Sequence, residues 1–298
     1  MDITKELEKR IYEIEKVFPE YLPKEEGYAA TLMEAMNYTI LAGGKRIRPI
    51  LMLETSRLFG GDDKTVYPFA VGLEMIHNYS LVHDDLEAMD NDDMRRGKLT
   101  THKKYGEAIG VLAGDGLLNF SYEVMLSAIQ IDSPMMKRQL LATQMIAQKA
   151  GIQGMIGGQT VDVLAEKQSE KVTADKLEYI HHKKTGALWE ASMMAGAVLA
   201  GATQKEISLV EQIASDIGLA FQIQDDILDE ESTFEELGKP IGSDVENGKV
   251  TYVTFEGLQK AHEDVESLSK RAMIQLDNLP GDKEFLRELF GYMVYRKK

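Results

Sequence analysis

Apolar residues recur along this chain at helical spacing. Leu7, Ile11, Ile14 and Phe18 follow one another at intervals of three or four, and Leu209, Ile213, Ile217, Ala220 and Phe221 repeat the pattern. That period marks helices with one face turned to a core. Alternating β-branched runs, the mark of strands, are nearly absent. Prolines stand at 19, 23, 49, 68, 134, 240 and 280, so no proline interrupts 135–239 and long helices are expected there. Gly, Pro and polar clusters place breaks at 19–27, 43–44, 60–63, 90–106, 132–134, 166–173, 201–204 and 230–248. No long linker, repeat array or low-complexity tract appears. The pattern predicts an all-α chain, one domain over residues 1–298, with about ten to twelve helices.

Composition narrows the function. The 298 residues are 44% hydrophobic and 28% charged, ordinary for a globular chain with a sizeable core. The formal net charge is −15. Such a chain offers no electrostatic footprint for nucleic acid and none for an anionic membrane surface. An anionic substrate would need local cations or metal ions to overcome the field. There are no cysteines, which removes thiolate nucleophiles, disulfides and cysteine-ligated zinc. Residues 1–18 are charged and amphipathic rather than signal-like, and no run of 18 apolar residues predicts a membrane anchor. The expected location is the cytoplasm.

Two acidic clusters stand out. The first is His83-Asp84-Asp85-Leu86-Glu87-Ala88-Met89-Asp90; the second is Gln222-Ile223-Gln224-Asp225-Asp226-Ile227-Leu228-Asp229. Both follow apolar helical segments. Residues four apart on a helix lie about 40° apart around its axis, so Asp225 and Asp229 share a face. Asp84 and Asp90 lie about 240° apart and converge only if the helix ends near Asp90. Packed carboxylates repel, and a hard cation with oxygen ligands relieves them. Magnesium suits the set: few carboxylates, several waters, and phosphate oxygens completing the octahedron. A solvated acidic face explains one such cluster well, and two of them poorly. The EF-hand spacing is absent.

Cationic segments accompany the acids. Gly43-Gly44-Lys45-Arg46-Ile47-Arg48-Pro49 joins two flexible glycines to three cations, without Walker spacing. Arg95-Arg96 follows the first acidic cluster, and Lys183-Lys184-Thr185 and the segment from Lys239 to Lys249 add more. His181-His182 reads as surface. Asp115 and the Gln159/Asp162 pair are candidates to support a metal from behind, or simply to pack helices.

Gly43–Pro49, Leu81–Gly97, Gly157-Gly158-Gln159-x-x-Asp162, Lys184-Thr185 and Phe221–Asp229 together resemble the trans-isoprenyl diphosphate synthase family from about residue 28 onward. The resemblance implies an isoprenoid synthase fold, a helical bundle around a deep central cavity, usually a homodimer. It implies isoprenoid diphosphate substrates and magnesium, three ions per active site with substrate bound. Asp84, Asp85 and Asp90 match its first metal-binding motif, and Asp225 with Asp229 the second. Arg95, Lys184 and Lys239 match cations on the allylic diphosphate, with Lys249 nearby. Lys45, Arg48, His77 and Arg96 match the isopentenyl diphosphate site. Thr185 and Gln222 match groups whose oxygens face the allylic cation. Glu87 stands where proline is common, and Ser243 where a lysine is common, which removes one expected cation; Asp244 is retained.

Chain length should follow cavity depth below Asp84. Tyr79 lies five residues earlier, roughly 7.5 Å along a helix, and Ser80 four residues earlier. A tyrosine there serves as a floor, or as ordinary core. The resemblance to bacterial members with this aromatic implies a C15 product, (E,E)-farnesyl diphosphate, from dimethylallyl or geranyl diphosphate; a geranylgeranyl or longer product is the alternative. Met75, Met125, Met155, Met193 and Met194 are candidates to line the cavity, or core filler. A terpene cyclase would not need Gly43–Pro49. A non-catalytic subunit should lack one acidic cluster. A histidine–aspartate phosphohydrolase needs several converging histidines, and the chain has six in all.

Overall fold

The computed structural model describes residues 1–167, 172–231 and 251–295. The chain is all-α, as its periodicity predicts. The helices are α1 (Ile3–Glu15), α2 (Phe18–Tyr21), α3 (Ala30–Ile40), α4 (Ile47–Leu58), α5 (Asp63–Asp84), α6 (Thr101–Tyr105), α7 (Glu107–Ser127), α8 (Met136–Ala150), α9 (Met155–Lys167), α10 (Ala174–Ile180), α11 (Ala187–Ala200), α12 (Gln204–Glu231), α13 (Tyr252–Glu256), α14 (Leu258–Asp277) and α15 (Glu284–Val294). A π-helical turn, His181–Gly186, joins α10 to α11. Eleven of these helices run eight residues or more. No described helix is long and apolar enough to cross a membrane.

Helix α5 runs through the core. Val66 to Ile76 are buried except for half-exposed Tyr67, so one continuous helix face does not suffice and the helix is enclosed by α4, α7 and α11. At 22 residues it spans about 33 Å, which carries the chain from one end of the bundle to the site. Helix α11 is buried from Ala187 to Leu199. Its small residues let α4 come close: a Cβ on Gly196 would meet the Met52 carbonyl at 2.2 Å. Helix α12 packs between α11 and α14. The buried apolar side chains form one continuous core.

Three local features escape the periodicity. A two-stranded hairpin, β1 (Met94–Arg95) with β2 (Lys98–Leu99), sits inside the 90–106 break. Its turn residues, Arg96 and Gly97, both have positive φ, the twist that two-residue hairpin loops favour. Residues 151–154 form a break between α8 and α9 that was not expected. The π-helical turn interrupts a stretch expected to be plain helix; such turns concentrate at functional sites. Lys239, Ser243, Asp244 and Lys249 lie outside the described residues.

Candidate active site

The first aspartate cluster closes differently from the expectation. Helix α5 ends at Asp84, six residues before Asp90, and Asp85 caps it. Tight turns then fold the chain back: Leu86 carbonyl accepts from Met89 (2.8 Å) and Asn91 (3.1 Å), and the Asp90 amide donates to the Asp84 carbonyl at 2.9 Å. A turn, not a longer helix, therefore brings Asp90 back beside Asp84. Burial pushes the Asp84 carboxyl up to about 6; Lys184 opposes the shift and Asp90 adds to it. The Asp85 carboxylate is buried and held by Arg95, with Nε at 2.6 Å and Nη2 at 2.5 Å. Burial raises its pKa, and Arg95 works against that.

A cavity of about 630 Å³ opens beneath Asp84, within the range of small-molecule sites. Arg48, His77, Lys184 and Thr185 supply its polar wall, and Leu118, Met155, Ile156, Val163 and Leu164 much of its apolar wall. Tyr79 and Ser80 line it as expected. Tyr79 is 6% exposed, its hydroxyl has no hydrogen-bond partner, and its ring meets that of His83 edge-on at 5.8 Å. Of the five methionines considered for the lining, Met155 alone takes part; Met75, Met125, Met193 and Met194 are buried in the core.

Helix α9 braces the site. Gly158 lets it touch the π-helical turn, since a Cβ there would meet the Lys184 amide nitrogen at 2.2 Å. From that position Gln159 donates to Asp84 Oδ1 at 2.6 Å, and Asp162 receives Lys184 Nζ at 2.5 Å. Both members of the Gln159/Asp162 pair thus contact site residues. Asp115 is exposed on α7 and lies 3.8 Å from His83, a residue of the cavity wall.

The cations of the glycine segment part company. Arg46 adopts the left-handed conformation at the start of α4, 3% exposed, and pairs with buried Glu74 at 2.9 Å while stacking on Phe18. It is a core residue; of the other two cations Arg48 lines the cavity and Lys45 is exposed. Burial lowers Arg48 to about 10, with Glu74 opposing and Arg96 reinforcing the shift. Burial, then Arg48, Arg96, Arg46 and Arg95, holds His77 well below its ordinary 6.5. Arg96 donates to the Gly43 carbonyl and to Asn78 Oδ1. Gly44 makes room for it: a Cβ there would stand 2.9 Å from the Arg96 guanidinium carbon.

The second cluster lies near the end of α12. Asp225 and Asp229 are half-buried, and Asp226 is buried. Thr185 on the π-helical turn donates to Gln222 Oε1 at 3.2 Å, which ties α12 to the cavity wall. His181, read as surface, is buried 3.8 Å from Asp226. Sequence reasoning also missed Glu74 and Asn78; their i, i+3 and i, i+4 spacing to His77 and Asn78 on one face of α5 was the available signal. Among the described residues no three carboxylate or imidazole groups converge to hold a metal by themselves. Asp84, Asp85, Asp90, Asp225 and Asp229 offer hard oxygen donors, a set that fits magnesium shared with phosphate oxygens.

The polyprenyl synthetase family profile matches residues 29–289. The farnesyl diphosphate synthase of Geobacillus stearothermophilus is 44% identical over 254 residues, covering 84% of this chain and 83% of that protein. The heterodimeric geranylgeranyl pyrophosphate synthase large subunit 1 of Arabidopsis thaliana is also 44% identical, over 266 residues, covering 89% and 72%. The crystal structure of an FPP/GFPP synthase from Zymomonas mobilis superposes with a TM-score of 0.86 at 33% identity, covering 98% of this chain and 99% of that one. The chain belongs to the polyprenyl synthetase family and is a prenyltransferase, a trans-prenyl diphosphate synthase.

Proposed function

We propose that this enzyme condenses isopentenyl diphosphate with dimethylallyl or geranyl diphosphate and stops at C15, (E,E)-farnesyl diphosphate. The observation that carries this reading is Tyr79, whose ring lines the cavity below Asp84. A growing chain descends from Asp84 and meets the ring; a geranylgeranyl or longer product requires a path around it. Relatives of equal identity are named for both product lengths, so the ring and not the kinship supports C15.

The allylic C–O bond breaks and diphosphate leaves with the electron pair. The isopentenyl double bond attacks C1 of the allylic group, and a proton is lost to the released diphosphate. Asp84, Asp85 and Asp90, together with Asp225 and Asp229, would hold magnesium, which would supply charge neutralisation to the leaving diphosphate. Arg95, Lys184, Lys239 and Lys249 bind the same diphosphate. In the free chain Arg95 rests on Asp85 and Lys184 on Asp162, so each cation is held near its task before substrate arrives. Lys45, Arg48, His77 and Arg96 receive isopentenyl diphosphate. Neutral His77 donates a hydrogen bond without adding a further charge to the buried arginines. Thr185 and Gln222 turn oxygens toward the developing cation, and the apolar wall keeps water from it.

We also read residues 1–298 as one domain, with the chain cytoplasmic and homodimeric and taking no nucleic acid partner. Exposed Val111, Leu112 and Leu126 on α7 offer the apolar face a second copy would cover. The function is tested by incubating labelled isopentenyl diphosphate and geranyl diphosphate with and without magnesium. Magnesium-dependent condensation, lost in Asp84→Ala and Asp225→Ala, is expected. Release of phosphate or a cyclic hydrocarbon without condensation would contradict it.

A further inference from the structure

Asp226 stands beside Asp225 in the second cluster, yet faces elsewhere. Adjacent residues on a helix point about 100° apart, so the two carboxylates cannot converge on one point as Asp225 and Asp229 can. Asp226 is 7% exposed. Its Oδ2 accepts the Tyr252 amide at 2.7 Å, and its Oδ1 accepts the Gln222 side-chain amide at 3.3 Å. His181 Nε2 lies 3.8 Å from Oδ2.

Each partner belongs to a different element. Tyr252 opens α13, where its N–H has no acceptor within the helix. A carboxylate there also meets the positive end of the peptide dipoles. Gln222 lies one turn earlier on α12 and uses its other atom, Oε1, to accept the Thr185 hydroxyl. His181 and Thr185 sit on the same π-helical turn. One buried carboxylate thus joins α12, α13 and the turn. A chain of hydrogen bonds runs from it through Gln222 to Thr185, which lines the cavity.

We infer that Asp226 is a positioning residue and not a metal ligand: it orients Gln222, and through it Thr185, toward the reacting carbon, and it anchors the start of α13. Its two oxygens are turned to Gln222 and to the start of α13, about 100° around the helix from the direction of Asp225. The adjacent Asp225 is left to face the diphosphate. This inference rests on the prenyl-transfer reading of Thr185 and Gln222.

Asp226→Asn, Asp226→Ala, Asp225→Asn, Gln222→Ala and the combination of Asp226→Ala with Gln222→Ala test it in the full-length enzyme. The readouts are half-saturating magnesium, kcat at saturating magnesium, and deuterium exchange at the Tyr252 amide without metal or substrate. Asparagine keeps an acceptor oxygen for Tyr252. Asp226→Asn should therefore leave half-saturating magnesium within about twofold of wild type and kcat within about tenfold, whereas Asp225→Asn should raise half-saturating magnesium by about tenfold or more. Asp226→Ala should lower kcat about a hundredfold at saturating magnesium and speed Tyr252 exchange about tenfold. Adding Gln222→Ala to Asp226→Ala should lower kcat little further, because the two act in one chain.

A rise in half-saturating magnesium for Asp226→Asn equal to that of Asp225→Asn would overturn the inference. So would additive losses with Gln222→Ala, or an Asp226→Ala enzyme with unchanged kcat and exchange. If Asp226→Ala fails to fold, half-saturating magnesium of Asp226→Asn against that of Asp225→Asn carries the test alone. A wild type that does not condense its substrates would sink the prenyl-transfer reading instead, while the Tyr252 exchange still reports on the anchor.

Discussion

Gln159 donates its side-chain amide to Asp84 Oδ1 at 2.6 Å, from a helix 75 residues further along the chain. The bond holds one oxygen of a carboxylate whose pKa burial raises to about 6. It also explains why Gly158 precedes it: without that glycine α9 could not approach Lys184 closely enough. Hydrogen bonds to charged groups contribute about 1.5–3 kcal/mol. Gln159→Ala should therefore lower kcat/KM about 10- to 100-fold and raise half-saturating magnesium. Magnesium titrations of initial rate would show it; an unchanged magnesium dependence would mean that Gln159 only packs.

Gly44→Ala should impair one substrate more than the other. The new Cβ would press on the Arg96 guanidinium, and the φ of 140° is one that L residues rarely adopt. Arg96 would shift from its place beside His77 and Asn78. The KM for isopentenyl diphosphate should rise about tenfold, with the allylic KM changed by less than about threefold. Equal rises in both would contradict the assignment of Arg96 to the isopentenyl side.

Arg46→Ala should fail through stability. Arg46 and Glu74 are 3% and 2% exposed, and removing one partner strands the other's charge. Breaking such a buried pair costs about 3–5 kcal/mol, or about 10 °C in Tm for a chain of this size. Lys45→Ala, at an exposed position two residues after Gly43, should leave Tm nearly unchanged while raising the isopentenyl KM. Thermal melts of the two variants separate the roles.

The two kinds of cation show how far the sequence could be read. Spacing and residue type were enough to single out both aspartate clusters, the glycine segment and Tyr79, because those signals are local. Helical period was enough for the fold class. It was not enough to tell Arg46 from Arg48. That distinction depends on a left-handed residue and on Glu74, 28 residues away. The hairpin that carries Arg95 and Arg96 is too short for any period to register. The burial of His181 and Asp226 depends on the chain returning at Tyr252, which no local pattern announces. The expected helix past Asp84 failed for a related reason: the turn bonds from Leu86 and Asp84 end it early.

Acid should weaken the fold partly through His77. Its native pKa lies well below 6.5, so below 6.5 the unfolded chain binds the proton more readily than the native one. The contribution is complete above pH 6.5 and is lost as pH falls below it toward the native value. Asp84 has the opposite sign: its pKa rises from 3.8 to about 6, so acidification through that window favours the fold. The Asp84 slope is common to wild type and His77→Gln and cancels in their difference. The Tm of wild type should therefore drop more between pH 7 and pH 5.5 than that of His77→Gln. Parallel curves would show that His77 titrates normally.

Tyr79 lines the cavity beneath Asp84, and the size of the dephosphorylated products shows whether it limits chain length. Wild type and Tyr79→Ala are incubated with magnesium, geranyl diphosphate and excess labelled isopentenyl diphosphate. A C15 alcohol from wild type and C20 or longer from Tyr79→Ala is the predicted result. C20 or longer from wild type, or an unchanged C15 limit in Tyr79→Ala, would contradict it.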